Sequence, residues 1–239
     1  MVTVFTLAKN DFKNIIRDRF LIYATIVFPL MIIMISRVLK HWIADSYPAI
    51  QGAFPLLFLL FLLTIPFIFA FISAFLIIDE RDEHLLTILR VMPISRNTYL
   101  IYRMLFVSLL AFVFILIFPN ASGLIDSTQF DFINYIPSAV LLAFLTPFAT
   151  LMVATFATNK VQAFAIFKLG GTVFFLPLVA FFTDSIARWA FGLVPNFWVF
   201  MALDTLMLKG TIDWTYLVVG FIYQIALIIL LFYIFNRKN

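Results

Sequence analysis

The chain has 239 residues, 64% of them hydrophobic and 12% charged, with a mean hydropathy of +1.11 and a formal net charge of +4. A soluble domain carries about a quarter charged residues and has no interior large enough for this much apolar surface, so the composition excludes a soluble fold and requires a bilayer. The absence of cysteine excludes disulfides, thiol chemistry and thiolate metal sites, and His41 and His84 lie far apart without ligand-spaced partners.

The first element is amphipathic. Val4, Phe5, Ala8, Phe12, Ile15 and Ile16 recur at helical spacing, while Lys9, Asn10, Lys13, Asn14, Arg17 and Asp18 take the other face. This pattern predicts an elbow helix over 4–18 lying in the membrane interface. A polar stretch ahead of the first apolar run is unlike a cleaved signal. A spanning helix needs about 20 apolar residues. Charge-sparse runs predict six of them, at about 20–38 with Pro29, 53–78 with Pro55 and Pro66, 99–118, 136–157, 161–182 and 214–235. None of these runs alternates with a period of two, which argues against a membrane β-barrel. A shorter apolar run, Trp189 to Leu203, is interrupted by Gly192, Pro195 and Asn196. A full crossing there would put the two termini on opposite sides. The run therefore reads as a re-entrant outer hairpin within 185–210, tolerable only where protein or a cavity covers its backbone. The expected fold is an all-α integral membrane protein forming a single transmembrane domain, 1–239.

Charge orients the spans. With both termini in the cytoplasm, 12 of the 16 Lys and Arg residues fall inside, and only Arg37, Lys40, Arg188 and Lys209 fall outside. This asymmetry follows the positive-inside rule. Trp42, Trp189, Trp198 and Trp214 fall near the outer boundary, where amphipathic rings settle. Lys168 is the exception within a span. It lies about two turns from the cytoplasmic surface, within reach of a snorkelling stem.

The densest polar feature runs from Asp79 to Arg96. Asp79, Glu80, Arg81, Asp82, Glu83 and His84 precede Leu85, Leu86, Ile88, Leu89, Arg90 and Met92. Pro93 then limits helix continuation. The expectation is a short cytoplasmic helix, a turn at Pro93-Ile94-Ser95, and a new helix capped by Ser95 or Asn97. Composition alone also fits a solvated loop. No Gly-x-x-x-x-Gly-Lys-Ser/Thr loop occurs anywhere, so the chain does not bind ATP in the P-loop manner. No His-Glu-x-x-His motif, acidic cluster within a span, or serine with a histidine base points to catalysis or a metal site.

The order of these features resembles the permease subunits of ABC-2 type exporters. The resemblance is carried by Glu80-Arg81-Asp82-Glu83, then Leu86, Leu89, Pro93 and Ser95, with Tyr99 and Arg103 following. A second block comprises Asn159-Lys160-Val161-Gln162-Ala163, Lys168-Leu169 and Pro195-Asn196-Phe197-Trp198. The chain departs from many relatives in having His84 where they have glycine. The resemblance implies a second permease, identical or different, and two separate ATP-binding-cassette ATPase subunits that hold ATP and Mg. It implies no nucleic-acid partner and a location in a prokaryotic cell membrane. Glu80, Arg81, Asp82, Glu83, His84, Leu85, Leu86, Leu89, Arg90, Pro93 and Ser95 would form the ATPase-coupling segment. Pro195, Asn196 and Trp198 would belong to a re-entrant element that closes the external exit.

With 32 phenylalanines, the chain suits an apolar or amphipathic cargo, such as a drug, peptide or lipid-linked molecule. Phe67, Phe71, Phe174 and Phe175 are candidates for its path, although lipid-facing and packing roles are the commoner explanation of any one such ring. The other readings are a self-contained channel or carrier, a membrane-embedded enzyme, and an assembly or immunity subunit on the same scaffold.

Overall fold

The computed structural model describes residues 22–82, 95–125, 131–182 and 186–238. All regular structure among them is helical. Helix α1 (Phe28–Ser46) continues a π-helical turn, Tyr23–Val27, and α2 (Phe54–Asp82) follows a 3-10 turn, Pro48–Ala53. Next come α3 (Arg96–Ser122), α4 (Phe132–Ala143), α5 (Leu145–Phe156) and α6 (Lys160–Phe175). Two 3-10 segments, Leu176–Phe182 and Ile186–Leu193, lead to α7 (Pro195–Lys209) and α8 (Trp214–Lys238). Six helical stretches among the described residues are long and apolar enough to cross a membrane: Tyr23–Ser46, Gln51–Asp82, Asn97–Ser122, Phe132–Phe156, Lys160–Ala180 and Trp214–Lys238. These are the six spans expected from composition, most of them longer at one or both ends. The expected elbow helix, 4–18, lies outside the described residues.

The bundle is organised around α2. This helix is apolar on every side, and a helix of that kind belongs in the interior. Its Phe58, Leu59, Leu62, Phe69, Ala70 and Ile72 are all buried. Between helices in lipid there is little hydrophobic driving force, so close backbone approach through small residues matters more. The contact between α2 and α5 follows this rule. Ala70, Ser73 and Ala74 of one helix and Ala149, Thr150 and Ala154 of the other are buried, and the Thr150 hydroxyl donates to the Ala70 carbonyl at 3.3 Å. Tyr135, fully buried on α4, donates to the Ile115 carbonyl of α3 at 2.9 Å.

The helix ends follow from local chemistry. Ser95 accepts from the Thr98 amide at 3.1 Å and starts α3. Asp131 accepts from the amides of Ile133 and Asn134 and starts α4 four residues earlier than expected. Asn159 caps the Gln162 amide at 2.9 Å while the Gln162 side chain accepts from the Thr158 amide at 3.0 Å, a reciprocal arrangement close to a capping box. The fourth span is broken at Phe144 into α4 and α5. Pro147 explains the break: in the first turn of α5 its missing N–H is harmless, whereas in one continuous helix it would orphan the Ala143 carbonyl. Helix α3 ends at Gly123, whose φ of 66° is one that side chains disfavour. Arg37 and Lys40 of α1 donate to the Ala121 and Gly123 carbonyls there, filling acceptors that a helix end leaves open.

The run between the fifth and sixth spans is held against α8. The Leu193 carbonyl accepts from Tyr223 Oη at 2.7 Å, and the Pro195 carbonyl accepts from Gln224 Nε2 at 3.4 Å. Both partners lie near the middle of α8. The far end of α7, at Lys209, joins the start of α8 through Gly210, at φ 66°. Thus α7 runs antiparallel to α8 over half its length, with its N-terminus deep in the bundle.

Candidate functional site

The last turn of α2 carries the first charges of the polar insert. Sequence placed a boundary at Ile78, but α2 runs on through Asp82. Each residue of this turn except the last is fastened to a different neighbour. Asp79 pairs with Lys160 at the start of α6, Oδ1 to Nζ 2.6 Å. Glu80 Oε1 accepts from both the Tyr99 hydroxyl and the Arg103 guanidinium of α3. Arg103 also donates to Tyr99 Oη at 2.6 Å and lies over that ring, 5.4 Å from its centroid. Arg81 donates to the Ala157 carbonyl at 2.7 Å and to the Ala154 carbonyl at 3.4 Å, closing the C-terminus of α5. Asp82 is exposed.

The spacing of α3 produces the central contact. Tyr99 and Arg103 stand four residues apart, one turn above the other, and face α2 together. The Glu80 and Arg103 side chains are 12% and 9% exposed, so this is a buried ion pair. In so poorly solvated a place, either charge alone would be strongly unfavourable, and each makes the other tolerable. The Asp79–Lys160 pair is far more exposed, at 37% and 55%, and contributes much less. The turn therefore acts as a clamp joining α2, α3, α5 and α6 where segment 83–94 departs and α3 begins.

Of the eleven residues expected to form the coupling segment, Glu80, Arg81, Asp82 and Ser95 are described. Glu80 and Arg81 are engaged within the chain, whereas Ser95 is exposed and caps α3. Glu83, His84, Leu85, Leu86, Leu89, Arg90 and Pro93 lie outside the described residues. Sequence reading did not count Tyr99, Arg103, Asp79 or Lys160 as site residues. The signal for Arg103 was available: an arginine one turn into an apolar run, with a carboxylate closing the preceding run, invites pairing across the two helices.

The four phenylalanines assigned to the cargo path come together. Phe67 stands 4.6 Å from Phe174 and 6.5 Å from Phe175, centroid to centroid, and Phe71 joins them through Phe167, which is 4.8 Å from Phe71 and 5.9 Å from Phe67. Phe67 and Phe174 are buried in the core, whereas Phe71 and Phe175 are half-buried. The first two rings hold α2 against α6, and the outer two reach the surface.

At the opposite end, Pro195 opens α7 and Asn196 is fully buried, its Nδ2 donating to the Phe174 carbonyl near the end of α6. Trp198 Nε1 donates to the Gly192 carbonyl at 3.1 Å and ties the first turn of α7 to the 3-10 segment before it. Gln224, a lone amide in an apolar run that sequence reading passed over, is also fully buried. The helices meet closely here because Gly220 has no side chain: a Cβ would lie 2.8 Å from Leu141 and 2.9 Å from Trp198. Among the described residues, no cluster of His, Asp and Glu has the makings of a metal site.

Known proteins are similar to this chain over nearly its whole length. The fluoroquinolones export permease protein Rv2686c of Mycobacterium tuberculosis, strain ATCC 25618 / H37Rv, is 27% identical over 237 residues, covering 97% of this chain and 93% of its own. Its counterpart from strain CDC 1551 / Oshkosh has the same identity and coverage. Both are permeases, and the ABC-2 exporter resemblance drawn from the polar insert agrees with them. The family profile for fluoroquinolones export permease protein Rv2686c-like matches residues 11–232, and this chain belongs to that family of multi-pass membrane export permeases.

Proposed function

We propose that this chain is the membrane subunit of an ATP-driven exporter, paired with a second permease and two separate ATPase subunits, with both termini in the cytoplasm. Its cargo is a drug-sized amphipathic molecule with a fused aromatic ring, of the quinolone class for which the relatives are named. The chain has no phosphate-binding loop of its own, so ATP and Mg belong to the partner and their energy enters through a contact.

The observation that carries this reading is the Glu80–Arg103–Tyr99 clamp with its flanking contacts from Asp79 and Arg81. A push on segment 83–94 is passed at once to α2 and α3, and through Arg81 and Asp79 to α5 and α6. Helices tied by buried charge move together, because separating the charges in a dry environment is costly. The outer hairpin, seated in the bundle by Asn196, Trp198 and Gln224, serves as the external closure in this scheme.

Because the chain lacks cysteine, a single probe tests orientation and docking together. Asn97 is exposed in the first turn of α3, beside the proposed coupling segment. A membrane-impermeant thiol reagent is expected to label Asn97→Cys in inverted membrane vesicles but not in intact cells. The ATPase subunit is expected to protect the thiol, and Glu83→Lys to abolish that protection. Labelling in intact cells overturns the orientation, and labelling unchanged by the ATPase subunit overturns the docking site.

A further inference from the structure

The Lys168 side chain has no polar partner among the described residues and stands exposed on α6. It follows Lys160 by eight residues, about 12 Å along the helix. Lys160 marks the charged end of the bundle through its pair with Asp79. A lysine stem can reach back toward that end, which explains how the charge is tolerated. It does not explain the residues around it. Phe164, Lys168, Gly171 and Phe175 recur at i, i+4, i+7 and i+11, and so share one face of α6. Phe164 is 58% exposed and Phe175 half-buried, and Phe71 of α2 stands beside Phe164, 6.3 Å away.

The two adjacent glycines of α6 separate packing from this face. A Cβ at Gly170 would lie 2.8 Å from Met152 Cε, the mobile end of a side chain on α5, so this glycine faces α5. A Cβ at Gly171 would meet nothing within 4 Å. No described residue needs a glycine there, and its effect is a gap between Lys168 and Phe175. A cation one turn from an open glycine, with an aromatic ring one turn further on, is complementary to a flat aromatic acid: its ring system lies over Gly171 against Phe175 and the ammonium takes its carboxylate.

We infer that Lys168 and Phe175, with Gly171 leaving room between them, form the cargo-selecting face of this permease and bind the carboxylate and the ring system of an aromatic acid. This rests on the cargo class proposed above, but its test requires neither ATP nor the ATPase subunit. The full-length chain in lipid nanodiscs is titrated with an intrinsically fluorescent quinolone carboxylate and, separately, with its decarboxylated analogue. Lys168→Met is expected to weaken binding of the acid by about tenfold or more, the loss of a charge-assisted hydrogen bond, and to leave the analogue unaffected. Lys168→Arg, which keeps the charge, is expected to retain the acid. Gly171→Leu is expected to weaken both probes by filling the gap. Equal binding of the acid by the parent chain and Lys168→Met overturns the assignment, as does an equal loss of both probes in that variant. A parent chain that binds neither probe overturns the cargo class and this site together, whereas the Asn97→Cys result reports on the ATPase partnership alone.

Discussion

The two ends of the bundle solve the same problem in different ways. At the Glu80 end, four helices are joined by full charges, with Glu80 against Arg103, Asp79 against Lys160, and Arg81 on the Ala154 and Ala157 carbonyls. At the Asn196 end, α6, α7 and α8 are joined by neutral amides that reach backbone carbonyls, Asn196 to Phe174 and Gln224 to Pro195. The difference follows from depth. Gln224 meets the Pro195 carbonyl, next to Asn196, near the middle of α8, where a charge would be most costly and an amide costs far less. Even so, Asn196 Oδ1 and Gln224 Oε1 have no hydrogen-bond partner among the described residues. Charges suit the end where helices enter the aqueous phase, and they join elements more strongly. The charged end is the one suited to transmit a push, and the amide end the one suited to a tight apolar seal.

The largest effect is expected at the charged end. Arg103→Met strands Glu80 in a buried place and should destabilise the protein by about 3–5 kcal/mol. The double variant Glu80→Gln/Arg103→Met should recover much of that loss, because no lone charge remains. Thermal unfolding in a fixed detergent compares the two, and a double variant as unstable as the single one breaks the ion-pair account. At the amide end the limiting factor is space. Gly220→Leu forces a side chain against Leu141 and Trp198 and should cost about 1–3 kcal/mol in the same measurement. An unchanged unfolding temperature would show that α7 and α8 pack more loosely than their geometry implies. The smallest effect belongs to the exposed pair. Lys160→Gln should alter stability by about 0–1 kcal/mol, with the difference shrinking further in high salt. A loss as large as that of Arg103→Met would extend the clamp to α6 as an equal member.

The number of spans was legible in the sequence because a bilayer imposes a length and an apolar composition on any helix that crosses it, and each run shows both independently of its neighbours. The caps at Ser95, Asp131 and Asn159 are local as well, since each depends on amides two or three residues away. The break at Phe144 was less visible, because Pro147 in an apolar run fits both a kinked helix and a new start.

What only the tertiary structure decided is which helices touch. Composition made the charges at Asp79 to Arg81 stand out but did not say what they face. Pairing with residues as far along the chain as Lys160 depends on how α2, α3, α5 and α6 pack, and a charge run reads the same whether it meets water, a partner or its own bundle. The same holds for α6, where neighbouring glycines look alike in sequence. Packing separates them: Gly170 lies against Met152, and Gly171, beside Lys168, opens outward.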